Sequence, residues 1–205
     1  LFTAEHKERL KHLSVPIVIL AQRLDGYSCV YSDDYHASMD LTSRLAKTGH
    51  IFGYISAESR DEAVGRNRKK GFDDGLSQAG QEHAPRYYAE AVFSMESGYQ
   101  MAKKLFTDHP DIDTLLCATD TIASGALRYF HEQEIPVPEQ VQIAGFGDSS
   151  IARATTPTLT TAHFFYEEAG SEAGKILLDM MQEKEHPLNR ELKLGFSTIV
   201  RASTR

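Results

Sequence analysis

The side chains in this sequence that could do chemistry fall at the ends of short apolar runs and in a few charged clusters. Thr114-Leu-Leu-Cys-Ala118 leads into Thr119 and Asp120, and Val141-Gln-Ile-Ala-Gly-Phe146 leads into Gly147 and Asp148. A carboxylate at a strand tip can accept a hydrogen bond from a bound hydroxyl or act as a general base. Arg68, in Arg68-Lys-Lys-Gly-Phe72, and Arg23, beside Gln22, carry planar guanidinium groups suited to paired hydrogen bonds with hydroxyls or a phosphate. A solvated helix or loop arginine is the plainer alternative for each. Asp33 and Asp34 are adjacent acids, and at the head of a helix their default role is capping.

An enzyme needs a nucleophile with its base, a metal set or a poised acid. The nine histidines are scattered without ligand spacing, and there is no thiolate motif, lipase-type elbow or P-loop. Gly145-Phe-Gly147 follows a strand, but the third glycine and the helix of a dinucleotide turn are missing. The sequence therefore predicts no catalytic residue, no metal site and no cofactor. A hydrogen-bonding pocket for a small polar molecule fits better, because planar polar groups and an aromatic face are what hold a sugar.

The totals agree with a binding role. A chain of 205 residues with 41% hydrophobic content has material for one large or two small lobes. The formal net charge of -7 argues against this portion docking on nucleic acid by itself. Arg66-Asn-Arg-Lys-Lys70 reads as a solvated helix face. Cys29 and Cys117 each fall inside an expected strand, as buried free thiols do. No apolar run is long enough to span a membrane.

Helices and strands must alternate to place the strand tips. Helices are expected over 4–13, 33–48, 61–79, 94–108, 121–134 and 166–184, with Asp120 as N-cap of the fifth. Strands are expected at 17–20, 29–31, 51–56, 87–89, 114–118, 141–146, 159–164, 191–194 and 197–202. Such alternation predicts an α/β fold, a parallel sheet with helices on both faces. Open sheets of this kind bind ligands at the carboxyl ends of their strands. Two lobes are expected, residues 1–30 with 164–191 and residues 31–163 with 192–205.

The segments Leu115-Leu-Cys-Ala-Thr-Asp-Thr-Ile-Ala-Ser-Gly-Ala-Leu127, Val141-Gln-Ile-Ala-Gly-Phe-Gly-Asp148 and Thr156-Pro-Thr-Leu-Thr-Thr161 resemble the effector-binding part of LacI-family transcriptional repressors. Within that family the chain is similar to regulators of sucrose and trehalose utilisation. The resemblance covers nearly the whole chain. It implies a two-lobed, periplasmic-binding-protein-like fold with parallel sheets flanked by helices, here with a truncated N-terminal lobe and no DNA-reading headpiece.

The same resemblance implies a ligand-binding set. Arg68 matches the arginine that grips the effector, and Phe93 falls where relatives place a stacking aromatic, with a core phenylalanine as the rival reading. Thr119 stands where many relatives have asparagine. Gly147 stands where many have a sugar-binding aspartate, the acid coming one residue later at Asp148. These departures favour a bulkier or anionic ligand, for which a lost carboxylate removes repulsion. By residue type and place in the chain, Asp120, Gln22, Arg23, Phe164 and Tyr166 complete the expected set, with core packing as the rival reading for Phe164.

The expected function is the effector-sensing core of a cytoplasmic repressor that takes a disaccharide or sugar phosphate. A homodimer is implied, meeting through the helix after Asp120 and the turn at 150–155, with operator DNA reached only through the missing headpiece and no membrane contact. The alternatives are a secreted sugar-binding protein of a transporter and an enzyme acting on a sugar phosphate with Asp120 or Asp148 as base. Replacing Arg68 by alanine is expected to abolish binding at little cost to the free protein.

Overall fold

The β-branched and apolar runs that read as strands pair mainly in parallel and form two sheets. The computed structural model describes residues 3–182 and 188–205. In chain order its elements are α1 (Ala4–Lys11), β1 (Val18–Leu20), β2 (Ser28–Ser32), α2 (Asp34–Leu45), β3 (Phe52–Ser56), a π-helical segment (Glu62–Asn67) and α3 (Arg68–Gln78). There follow β4 (Arg86–Glu90), α4 (Met95–Asp108), β5 (Thr114–Cys117), α5 (Asp120–Glu132), β6 (Gln142–Phe146) and α6 (Ser150–Ala154). The last are β7 (Thr160–Phe164), α7 (Tyr166–Gln182), β8 (Glu191–Leu194) and β9 (Phe196–Ile199). Residues 183 and 184, expected at the end of the last helix, lie outside the described residues.

Two compact units result. The first takes the described residues up to Ser32 and those of Phe165–Gly195; the second takes Asp33–Phe164 and Phe196–Arg205. In the first unit β1, β2 and β8 form a parallel sheet in the order β1-β2-β8. Alternation along β2 sends neighbouring side chains to opposite faces. Cys29 packs with Ile19 and Leu24 on one face, while Val30 packs with Ala173 and Ile176 of α7 on the other. Leu192–Leu194, expected in the C-terminal lobe, pair with β2 and so belong to this sheet.

The second unit is a six-stranded sheet in the order β4-β3-β5-β6-β7-β9, parallel except for the β7–β9 pair. Leu115, Cys117 and Ile143 face α4 and α5, and Phe52, Tyr54, Leu116, Ala144 and Phe146 face α2 and α3. Each fully buried large apolar side chain contributes about 1.5–3 kcal/mol. The largest of them, from Tyr54 and Phe52 to Ile122 and Ile143, are all in this unit. Both cysteines are buried and free.

Three elements differ from expectation. The helix expected over 61–79 opens with the π-helical segment, and its α-helical part begins at Arg68. Residues 150–155, expected as a turn, contain the short helix α6. The closing strand stops at Ile199, because Ser203 and Arg201 turn to bond Ile143 and Thr160 through side-chain as well as backbone groups. Among the described residues no helix is long and apolar enough to cross a membrane.

Candidate functional site

In the second unit β3, β5, β6 and β7 run parallel, so their carboxyl ends share one rim. Arg68 opens α3 at this rim and is only 6% exposed. Its Nε donates to Asp34 Oδ1 at 2.7 Å, its Nη2 lies 2.6 Å from the same oxygen, and its Nη1 donates to the Ala118 carbonyl at 2.5 Å. The guanidinium carbon stands 4.8 Å from the Phe146 ring centre and 5.1 Å from that of Phe164. Removing both charges from water is costly, and the direct pairing with the two aromatic faces offsets part of that cost.

The two adjacent acids at the head of α2 have separate jobs. Asp33 is the N-cap and accepts from the His36 N–H at 3.4 Å. Asp34, in the first turn where the helix dipole favours an anion, is buried against Arg68. Sequence reasoning missed Asp34 and Phe146 as parts of the site. The available signal for Asp34 was a second carboxylate where one cap suffices.

Asp120 is not the cap of α5. Thr119 is, its hydroxyl accepting from the Ile122 N–H at 3.2 Å. Asp120 is buried and accepts from the Ser149 N–H at 2.9 Å, the Ser149 hydroxyl at 3.1 Å and the Thr161 hydroxyl at 2.6 Å. Burial pushes its carboxyl above the ordinary value, against those hydrogen bonds, which favour the charged form. Gly145 permits the approach, since a Cβ there would sit 3.1 Å from the Asp120 Cα and 2.7 Å from its Oδ1. Asp120 thus ties α5 to the ends of β6 and β7, its oxygens already held by protein donors.

Gly147 has φ +126° and Asp148 φ +48°, so the turn after β6 is left-handed at both positions. An aspartate at 147 would strain this backbone, which explains why the acid falls one residue later. Asp148 accepts from Arg201 Nη2 at 2.5 Å, and its other oxygen lies 3.2 Å from His163 Nδ1 and 3.6 Å from Arg153 Nη2. Burial raises its carboxyl, but the Arg201 hydrogen bond and charge, then Arg153 and His163, bring it below the usual carboxylate range. Asp148 anchors the C-terminal segment. Gly145 and Gly147 are both explained by close packing and turn geometry.

The two phenylalanines of the expected set part ways. Phe93 follows β4 in an exposed pair with Val92 and is itself 51% exposed, so it is not a core residue. Phe164 is 1% exposed and belongs to the core on the α2–α3 face, with its ring beside Arg68. Gln22, Arg23 and Tyr166 belong to the first unit. There Arg23 pairs with Glu191 at 2.9 Å and Asp25 at 3.1 Å, Gln22 is half-buried and Tyr166 is exposed. The structure brings Arg68, Thr119, Asp120, Gly147, Asp148 and Phe164 to one rim of the second unit. Among the described residues no three His, Cys, Asp or Glu side chains group as a metal site.

Residues 42–204 match the family described as a periplasmic binding protein-like domain. The HTH-type transcriptional regulator TreR of Escherichia coli (strain K12) is 30% identical over 187 residues, covering 91% of this chain and 57% of the relative. The solved transcription regulator GntR from Chromobacterium violaceum is 31% identical, with a TM-score of 0.84 over 100% of this chain and 76% of that one. A LacI family transcriptional regulator from Enterococcus faecium with bound ribose is 25% identical, with a TM-score of 0.87 over 98% and 75%. The chain spans 57% of the length of TreR and 62% of the PurR repressor of Haemophilus influenzae. With the match running from within α2 to Thr204 and the same fold in these regulators, the chain belongs to the periplasmic binding protein-like domain family and is similar to LacI-family regulators.

Proposed function

We propose that this chain senses a sugar or sugar phosphate in the cytoplasm and relays its presence to operator DNA through a headpiece outside the chain. The observation that carries the reading is Arg68, a buried guanidinium laid between two aromatic rings at the carboxyl rim of a parallel sheet. Three of its five N–H groups are spent on Asp34 and the Ala118 carbonyl, which leaves two for a ligand hydroxyl or phosphate oxygen. Exposed Phe93 offers a face for the apolar side of a sugar ring, and Thr119 follows Ala118, whose carbonyl Arg68 bonds. Asp120 and Asp148 hold the rim in shape. Gln22, Arg23 and Tyr166 enter the proposal on residue type and place in the sequence alone.

The reading is binding without turnover, and the engagement of both strand-tip acids' oxygens by protein donors supports it. The ligand shifts the balance between two arrangements of the protein by as much as it prefers one of them. Operator half-sites are read in pairs, so a homodimer is proposed, meeting through α5 and α6. A cavity of about 300 Å³ between Leu127, Arg128 and His131 of α5 and Thr155 and Thr156 after α6 offers a socket there.

The test is a thermal-shift panel of sucrose, trehalose, their 6-phosphates, fructose and glucose 6-phosphate. A ligand at a hundredfold excess over its Kd adds about 2.7 kcal/mol of stability. One saturating member, recovered unchanged after incubation, supports the proposal. A flat response to the whole panel, or conversion of the bound sugar, contradicts it.

A further inference from the structure

The cationic stretch Arg66-Asn-Arg-Lys-Lys70 leads into α3 and has an acid for each of its charges. Arg66 lies 3.5 Å from Glu62, Lys69 bonds Asp73 at 2.8 Å, Lys70 pairs with Asp74, and Arg68 pairs with Asp34 at 2.6 Å. Elsewhere on the rim Arg153 and Arg201 gather on Asp148. The exposed pairs among these contribute little to stability, but together they leave no excess positive charge. A phosphate seated at Arg68 would therefore find a guanidinium that is already neutralised.

Asp34 is distinguished by what it leaves unspent. It is 5% exposed, and both contacts from Arg68, through Nε and Nη2, fall on Oδ1. Among the described residues no group donates to Oδ2. The side-chain polar atoms sealed from solvent without a partner are Thr42 Oγ1 and Tyr54 Oη among those residues, so Asp34 Oδ2 keeps its access to solvent. Arg68 and Asp34 thus present two free N–H groups beside a free acceptor. Two neighbouring sugar hydroxyls satisfy both sides, because a hydroxyl donates as well as accepts. A phosphate dianion only accepts, and it would bring like charge against Oδ2.

We propose that Asp34 is a specificity-determining residue of this site. Its Oδ2 accepts from one ligand hydroxyl while Arg68 donates to the neighbouring one, so the group held at Arg68 is an uncharged diol and not a phosphate. This rests on the sugar-sensing reading above and narrows the ligand chemistry at its central residue.

The test titrates the strongest binder of the sugar panel calorimetrically, with and without inorganic phosphate at constant ionic strength, into the unmodified chain and into Asp34→Asn. In the unmodified chain phosphate is expected not to compete. Asparagine keeps the size and a carbonyl for Arg68 but removes the charge, so the sugar is expected to bind at least about tenfold more weakly and phosphate to become a saturable competitor. A purely supporting Asp34 would lower the sugar's affinity without that gain of phosphate binding, and this outcome overturns the proposal. So does unchanged sugar affinity in Asp34→Asn, or phosphate competition in the unmodified chain, which decides by itself if the variant does not fold. A panel with no binder at all removes the sugar-sensing reading and this inference with it, whereas phosphate competition against a bound sugar removes the inference alone.

Discussion

Two charged arrangements share the carboxyl rim of the second unit, and they are built in opposite ways. At one, a single arginine, Arg68, meets a single acid, Asp34, between the rings of Phe146 and Phe164. At the other, a single acid, Asp148, is surrounded by Arg201, Arg153 and His163. The first leaves a donor-rich group over aromatic faces, suited to a polar guest. The second surrounds its acceptor with protein donors, suited to holding a turn and a chain terminus in place. What distinguishes the two is the capacity left over: Arg68 spends three of its five N–H groups on Asp34 and the Ala118 carbonyl, whereas both oxygens of Asp148 face protein donors.

The largest test of this contrast is Arg68→Ala. It leaves Asp34 buried without its partner, and breaking a buried pair costs about 3–5 kcal/mol. The free protein is therefore expected to lose several kcal/mol in urea unfolding. That corrects the sequence-based expectation of little cost, because the sequence did not reveal Asp34 as a buried partner. A loss under about 1 kcal/mol would mean the pair is not closed as described.

Arg201→Ala comes next, at about 1.5–3 kcal/mol, since it removes charged hydrogen bonds to Asp148 and the Leu159 carbonyl. Ligand affinity at the rim is expected to stay the same in this variant. A matching fall in affinity would place Asp148 among the ligand contacts after all.

pH separates the two strand-tip acids, buried Asp120 and partly buried Asp148. Asp148 has a folded-state value below the unfolded one, so its stabilisation is complete above about pH 4 and is lost as pH falls through the folded value. Asp120 is raised, so the folded state holds its proton longer, and stability declines as pH climbs from the unfolded value through the folded one. Urea midpoints between about pH 3 and 6 should show a flatter acid limb in Arg201→Ala and a reduced decline in Asp120→Asn. Two profiles that coincide with the unmodified chain would refute the assignment. Smaller again is Thr119→Ala, expected to cost about 1 kcal/mol through the lost α5 cap, measured in the same unfolding series.

Much of this fold was legible because buried parallel strands are short apolar runs and their helices carry start and stop residues. Thr114–Cys117 and Gln142–Phe146 show it, with Thr119 and Gly147 just beyond them. What was not legible depends on partners distant in the chain. Thr119 and Asp120 are both good caps by type, and the choice is made by Thr161 and Ser149 reaching Asp120 from later in the sequence. Asp148 is a candidate ligand contact by sequence, and Arg201, the partner at its oxygen, lies 53 positions on. Phe93 and Phe164 are the same residue type near strand ends, and only packing against α2 and α3 separates the buried ring from the exposed one.

The most direct measurement is calorimetric titration of the panel's strongest sugar into the unmodified chain and into Arg68→Lys. Lysine keeps a positive charge opposite Asp34 but loses the planar fork. One saturable site is expected in the unmodified chain, weakened at least about tenfold in the variant while its melting point falls less than that of Arg68→Ala. Equal affinity in the two proteins would show that the ligand is held somewhere other than this rim.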